Sequence, residues 1–117
     1  AAEDVLTVGE GIETMLSLRA ALPGMPMAAA LSASHLGALE IPRSLRRLYI
    51  ARDADPAGDK AAATLTARAV AVGIAVRVLS PRGGDFNEDL QATDLDDLRA
   101  ALRPQLAPED VNRIGEG

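Results

Sequence analysis

Three short acidic groups carry the chemistry of this chain. Glu10-Gly11-Ile12-Glu13 follows the apolar run Val5-Leu6-Thr7-Val8 and Gly9. Asp53-Ala54-Asp55-Pro56-Ala57-Gly58 follows Leu48-Tyr49-Ile50-Ala51 and Arg52, and Asp85-Phe86-Asn87-Glu88-Asp89 follows Ala75-Val76-Arg77-Val78-Leu79 and a turn rich in proline and glycine. Carboxylates exchange protons and bind hard cations. Two of them about 4 Å apart repel by roughly 4 kcal/mol at an effective dielectric near 20. Several such pairs in one crevice would cancel much of the roughly 5–15 kcal/mol that keeps a domain folded. Gathered carboxylates must therefore be protonated, splayed apart or neutralised by a cation. Oxygen-only donors point to Mg²⁺ or Mn²⁺, and Mg²⁺ commonly joins one or two carboxylates to substrate phosphates. The spacing of Asp53 and Asp55 lets both side chains point to one side while the backbone is extended.

The elements that must position these groups are legible from periodicity. Each apolar run reads as a buried strand, and parallel strands of one sheet would carry all three groups to a single edge, where open α/β sheets place ligands. Ile12, Met15, Leu16 and Leu22 recur at helical spacing, predicting a helix over 13–22 that stops at Pro23-Gly24. Met25 to Leu31 is a further apolar run, with Pro26 tolerable only at a strand's start or on an edge. Ser32 or Ser34 would cap a short helix through Leu39. Asp55-Pro56 reads as a cap and first helical position. The helix it opens carries Ala62, Leu65, Ala69 and Val72 on one face and ends at Gly73. Ile74 to Leu79 is the fourth strand, and Thr93 or Asp94 caps a last helix bearing Leu95, Leu98 and Leu102. The order β-α-β-α-β-α-β-α, with near-continuous apolar strands, predicts a parallel sheet flanked by helices on both faces.

Composition narrows the class. A chain of 117 residues is one domain with a modest core. Its residues are 48% apolar but only 2% aromatic, so the core is aliphatic and rich in alanine. Without cysteine there are no disulfides or thiolate sites, and the single His35 cannot build a histidine-based metal centre. No apolar run approaches the roughly 20 residues that span a bilayer, and no signal peptide is visible, so a cytoplasmic protein without a membrane partner is expected. A net charge of -5 argues against a module that simply coats nucleic acid. Much of that charge belongs to Glu10, Glu13, Asp53, Asp55, Asp59, Asp85, Glu88 and Asp89, in or beside the three groups. The first strand starts almost at the terminus, as expected of a piece of a longer protein.

Each residue also has a plainer role open to it. Asp55 would serve as a helix cap, and Glu13 suits a first helical turn through the helix dipole. Gly11 and Gly58 fit ordinary turns or packing, Asp85 and Asn87 fit a turn, and His35 fits a solvated helix end. Arg43, Arg46 and Arg47 fit a charged face before a strand. What unites the acids is their shared position, just after a strand.

In that arrangement the chain resembles the TOPRIM domain of bacterial-type primases, type IA and type II topoisomerases and certain metal-dependent nucleases. Glu10-Gly11 is similar to the family's Glu-Gly motif, and Asp53-Ala54-Asp55-Pro56-Ala57-Gly58 to its D-x-D motif in primase-like form. Gly84-Asp85-Phe86-Asn87-Glu88-Asp89-Leu90 is similar to the acidic segment of primase-like proteins from phages, plasmids and mobile elements. The likeness covers roughly residues 5–90. It implies a compact Rossmann-like fold, a four-stranded parallel sheet and a Mg²⁺ site (Mn²⁺ as substitute) at the carboxyl edge. Residues 1–103 would be the catalytic domain and 104–117, with Pro104 and Pro108, a peripheral helix or tail.

By the same resemblance Glu10 is the acid/base or metal-associated glutamate. Asp53 and Asp55 bind the metal, and Asp85 completes the pocket. Gly11, Glu13, Gly58, Asn87 and Asp89 support them. From their positions alone, and not from the resemblance, Arg52, Lys60 and Arg82 are expected to contact phosphates. Two departures stand out: Arg52 occupies a position often small or apolar in relatives, where it would pair with a carboxylate or contact a phosphate, and Asn87 sits where some primases have an acid. The implied activity is primer synthesis by Mg²⁺-dependent nucleotidyl transfer within a larger replication or mobile-element protein. Nucleotides, a single-stranded DNA template held by flanking domains, and a helicase are the implied partners. A phosphodiester-hydrolysing nuclease and a non-catalytic phosphate-binding scaffold are the rivals. A topoisomerase fits less well, because Tyr49, the only tyrosine, lies within a strand. A receiver-like domain fits less well because Lys60, the only lysine, sits at a helix start rather than after a late strand.

Overall fold

Alternation along two central strands divides the interior into two cores. A computed structural model describes residues 4–42, 44–52, 56–83 and 85–111. Among them β1 (Val5–Gly9), β2 (Met27–Ala29), β3 (Arg47–Ala51) and β4 (Ala75–Leu79) form one parallel sheet in the order β2-β1-β3-β4. Val5, Tyr49 and Ala51 face a core completed by Met15, Leu18, Leu22, Phe86, Leu98 and Leu102. Val8, Leu48 and Ile50 face the other, with Leu36, Leu65 and Ala69. The first layer comes from α1 (Ile12–Ala21), α4 (Phe86–Ala92) and α5 (Leu95–Leu102), the second from α2 (Ala33–Gly37) and α3 (Pro56–Ala71). From β1 the chain steps outward to β2, and from β3 it steps the opposite way to β4. Crossovers of one hand then place α1 and α3 on opposite faces. The predicted α/β fold, with a four-stranded parallel sheet between helical layers, is the one observed.

Local signals account for most element ends. Ser32 caps α2 by accepting the His35 N–H at 3.0 Å, and Asp94 caps α5 by accepting the Asp97 N–H at 2.8 Å. Gly73 closes α3 at φ +86°, while the Ile74 N–H reaches back to the Ala69 carbonyl at 3.0 Å. Pro26 immediately precedes β2, an edge strand of three residues.

Several expectations about burial are corrected. β4 is the opposite edge strand, and Ala75, Arg77 and Val78 are exposed while Leu79 is buried. Apolar content marks a strand but not its place in the sheet. Ile12 and Leu16 are 54% and 60% exposed, and α1 packs through Met15, Leu18 and Ala21 instead. Gly9 sets that seating, because a Cβ there would lie 2.6 Å from Met15 Sδ. Val72 is 66% exposed because it falls beyond the last turn of α3, whose inner face is Ala61, Ala62, Leu65 and Ala69. The acidic segment after β4 is a helix, α4, where a loop was expected.

Residues 103–111 close the first layer. A 3-10 turn at Arg103–Gln105 leads into α6 (Pro108–Val111), and Leu106, Ala107 and Asp110 are buried. Asp110 Oδ2 accepts hydrogen bonds from Tyr49 Oη at 2.5 Å and Arg47 Nη1 at 2.7 Å. The Ala107 N–H donates to Tyr49 Oη at 2.9 Å. Burial, then the bond to Asp110, pushes the Tyr49 phenol up to about 12. Among the described residues no helix is long and apolar enough to cross a membrane.

Candidate active site

The sheet register brings three strand ends level. Gly9 pairs with Ala51, and Ala51 with Leu79, so Glu10 and Arg52 leave adjacent strands side by side. The strand order reverses between β1 and β3, and such switch points are where open parallel sheets bind ligands. Beyond the strands the backbone stays tied. The Ala30 N–H donates to the Gly9 carbonyl and the Leu31 N–H to the Glu10 carbonyl, each at 2.7 Å. Leu31 makes its bond at φ +78°, a left-handed conformation that costs a leucine about 1–2 kcal/mol. Glu10 is half-buried at this junction. Gly11 occupies the N-cap of α1 at φ −101°, and a Cβ there would meet nothing within 4 Å, so folding does not demand a glycine. Glu13 lies exposed in the first turn.

The third acidic group meets the first. An open cavity of about 350 Å³ is lined by Gly11, Ile12, Glu13, Thr14, Leu31 and Asp85. Asp85 also caps α4, its Oδ1 accepting the Glu88 N–H at 2.8 Å. Asn87 Oδ1 accepts from Ser17 Oγ at 3.4 Å, linking α4 to α1. Asp89 is fully engaged elsewhere: its carboxylate accepts the Arg82 N–H at 2.7 Å and the Gly83 N–H at 2.8 Å, stapling the loop before α4. A larger cavity of about 580 Å³ lies at the far end of α3, lined by Ile41, Arg68, Ala71, Val72 and Ile74. It has no acid in its wall, so the smaller one is the candidate site.

The remaining predicted residues divide. Asp53 and Asp55, like Gly84 of the third motif and Arg43, lie outside the described residues. Gly58 is buried in the first turn of α3. Arg52 forms a two-pronged ion pair with Asp59, Nε to Oδ1 at 2.5 Å and Nη2 to Oδ2 at 3.2 Å. That hydrogen bonding raises the guanidinium's pKa and lowers the carboxyl's. Lys60 lines a groove against α2 with Ala33, Ser34 and Gly37, and Arg82 is exposed beside Asp89 and α5. The three basic residues therefore do not share one cavity.

The donors suit a hard cation. At the cavity they are carboxylate and hydroxyl oxygens, and His35 sits away on α2. Among the described residues no three His, Asp or Glu side chains converge on a metal-sized gap, and the predicted ligand set depends on Asp53 and Asp55. Sequence reasoning missed Asp59, Gly9 and Leu31. For Asp85 a signal was present, since Asp85-x-x-Glu88 is a helix-cap pattern.

Open parallel sheet, a switch point and a cavity at the carboxyl edge define an α/β domain of the class that places ligands there. The Toprim domain family model matches residues 5–96, and the chain belongs to that family. Its structure is similar to a DNA primase domain from Pseudomonas aeruginosa, with TM-score 0.59 and 27% identity over 87% of this chain and 33% of that one. It shares its fold with the Aquifex aeolicus primase, zinc-binding and RNA polymerase domains, with TM-score 0.59 and 21% identity over 89% of this chain and 26% of that one. The chain thus spans about a third and a quarter of those two. Comparison with curated proteins finds no match.

Proposed function

We propose that this domain is the catalytic core of a primase-type nucleotidyltransferase that extends a primer on a DNA template, within a larger replication or mobile-element protein of the cytoplasm. The observation that carries this reading is the level exit of Glu10 and Arg52 from β1 and β3 at the switch point, with Asp85 and the 11–14 turn lining one cavity. Family membership and the likeness to a DNA primase domain support it.

Asp53, Asp55, Asp85 and Glu10 would hold Mg²⁺, or Mn²⁺ in its place. The ion supplies charge neutralisation for a triphosphate and its leaving group. Glu10, half-buried beside that charge, takes the proton of the attacking hydroxyl or returns one to the leaving oxygen. Asp85 keeps Oδ2 for the ligand while Oδ1 anchors it to α4. Gly11 leaves the backbone open beside the cavity, and Asn87 and Asp89 hold α4 in place. Lys60 and Arg82 are exposed and open to a phosphate, whereas Arg52 would first have to leave Asp59. Template and helicase contacts fall to flanking regions, in keeping with the net charge of -5.

Primer synthesis by the parent protein tests this. Asp53→Ala and Asp55→Ala should each abolish it, and Glu10→Gln should slow it by about 10²-fold or more. Unchanged synthesis in the two aspartate variants would defeat the assignment. DNA incubated with Mn²⁺ and no nucleotides should stay intact, and its cleavage would identify a nuclease instead.

A further inference from the structure

Among the described residues Leu31 alone is a non-glycine with a left-handed backbone, and its side chain is 64% exposed. A glycine would hold the same turn without strain, and strain of this kind collects at ligand sites. The Leu31 N–H is tied to the Glu10 carbonyl at 2.7 Å, which fixes its backbone beside the first acidic group. Ile12, 54% exposed at the start of α1, stands with Leu31 in the wall of the 350 Å³ cavity, together with Glu13 and Asp85. Gly11 lies in that wall as well. A Cβ there would meet nothing within 4 Å, so the space beside the two apolar side chains is open. From Ile12 the apolar surface continues through exposed Leu16 into a groove of about 140 Å³ lined by α1 and β2.

A cavity with carboxylates in one part of its wall and aliphatic side chains in another selects a ligand that is polar at one end and apolar at the other. We propose that Ile12 and Leu31 form a nucleoside subsite, packing against the base and sugar of a nucleoside triphosphate whose phosphates lie toward Glu13 and Asp85 with a divalent cation. The proposal deepens, and rests on, the reading of this cavity as a nucleotidyltransferase site. Small-molecule pockets of roughly 300–1,000 Å³ are built in this way, from mostly apolar walls and a few placed polar groups. A protein partner fits less well, because Glu13 and Asp85 share the wall and the cores of protein interfaces are depleted of charge.

Calorimetric titration of the 117-residue chain in Mn²⁺ tests this, with ATP and inorganic triphosphate as the two probes. Both bring phosphates, and only ATP brings a base and a sugar. Leu31→Gly and Ile12→Ser should each weaken ATP binding about five- to tenfold, the loss expected for part of an aliphatic contact. Inorganic triphosphate should bind both variants within about twofold of wild type. Leu31→Gly keeps the backbone turn, so its loss of affinity should come without loss of stability. Thermal unfolding should show each variant folded at the titration temperature. A single-stranded oligodeoxynucleotide, titrated in parallel, should also bind both variants within about twofold of wild type.

Unchanged ATP affinity in both variants overturns the subsite and leaves the phosphate and metal reading standing. Equal losses for ATP and inorganic triphosphate overturn it as well, since the two side chains would then serve the acids and not the nucleoside. An oligonucleotide loss as large as the ATP loss assigns the apolar wall to a strand instead. Altered self-association in sedimentation, with ATP affinity kept, assigns it to a second copy of the chain. If wild type binds neither ATP nor triphosphate, the nucleotidyltransferase reading falls and takes this proposal with it.

Discussion

β3 begins and ends in acidic company, but of opposite kinds. At its start Asp110 is buried and bonded to Tyr49 and Arg47. Near its end Glu10 leaves the neighbouring strand half-exposed, and half-exposed Asp85 lines a solvent-open cavity, held by a backbone N–H. A buried carboxylate whose partners all come from the protein joins elements of the fold. A half-exposed carboxylate at a cavity, like Asp85 with one oxygen on a backbone N–H, stays in contact with solvent. Burial and partner type, more than the residue itself, separate the structural acid from the candidate site acid.

Substitutions can break this contrast, and the largest effect belongs to the buried cluster. Asp110→Ala leaves the Arg47 guanidinium and the Tyr49 hydroxyl without their shared acceptor. It should cost about 3–5 kcal/mol in urea unfolding while leaving Mn²⁺ affinity unchanged in the folded protein. The alkaline limb comes next. Tyr49 is raised from 10.0 to about 12 in the folded state, so the folded chain holds a proton that the unfolded chain releases. Its contribution is complete below pH 10 and lost as pH rises through 12, roughly 2–3 kcal/mol in all. Urea midpoints measured across that range should fall for wild type and be flatter for Tyr49→Phe.

At the other end of β3 the expected effects on stability are smaller. Asp85→Ala removes the α4 cap and should cost about 1 kcal/mol while also weakening Mn²⁺ binding, a double consequence that Asp110→Ala would not share. Leu31→Gly relieves the left-handed backbone beside the cavity and should gain about 0.5–1 kcal/mol. A thermal melt suffices, and a lower midpoint would show that the exposed leucine does more for the fold than its conformation costs.

The unequal legibility of the two regions has a physical basis. Element order came from local period and punctuation, so the alternating strands and the stops at Pro23-Gly24 and Gly73 could be read directly. Edge and centre could not, because Val76 and Val78 look as apolar in sequence as Leu48 and Ile50 while β4 has a neighbour on one side only. The acids of the candidate site were readable because each follows a strand. Their individual duties were less so: Asp85 serves a helix start as well as the cavity, and Asp89 staples a loop. Asp110 carried no signal, since its partners stand 61 and 63 residues away. The Arg52–Asp59 pair spans seven residues across a strand-to-helix boundary, where no helical spacing rule applies.

Paramagnetic broadening by Mn²⁺ in the amide spectrum tests the central contrast most directly, since it falls steeply with distance from the ion. At substoichiometric Mn²⁺ the resonances of Gly11, Glu13 and Asp85 should vanish first, while those of Ala107 and Asp110 persist. Broadening centred on Asp110, or spread evenly over the acidic surface, would contradict a cation site at the carboxyl ends of β1 and β3.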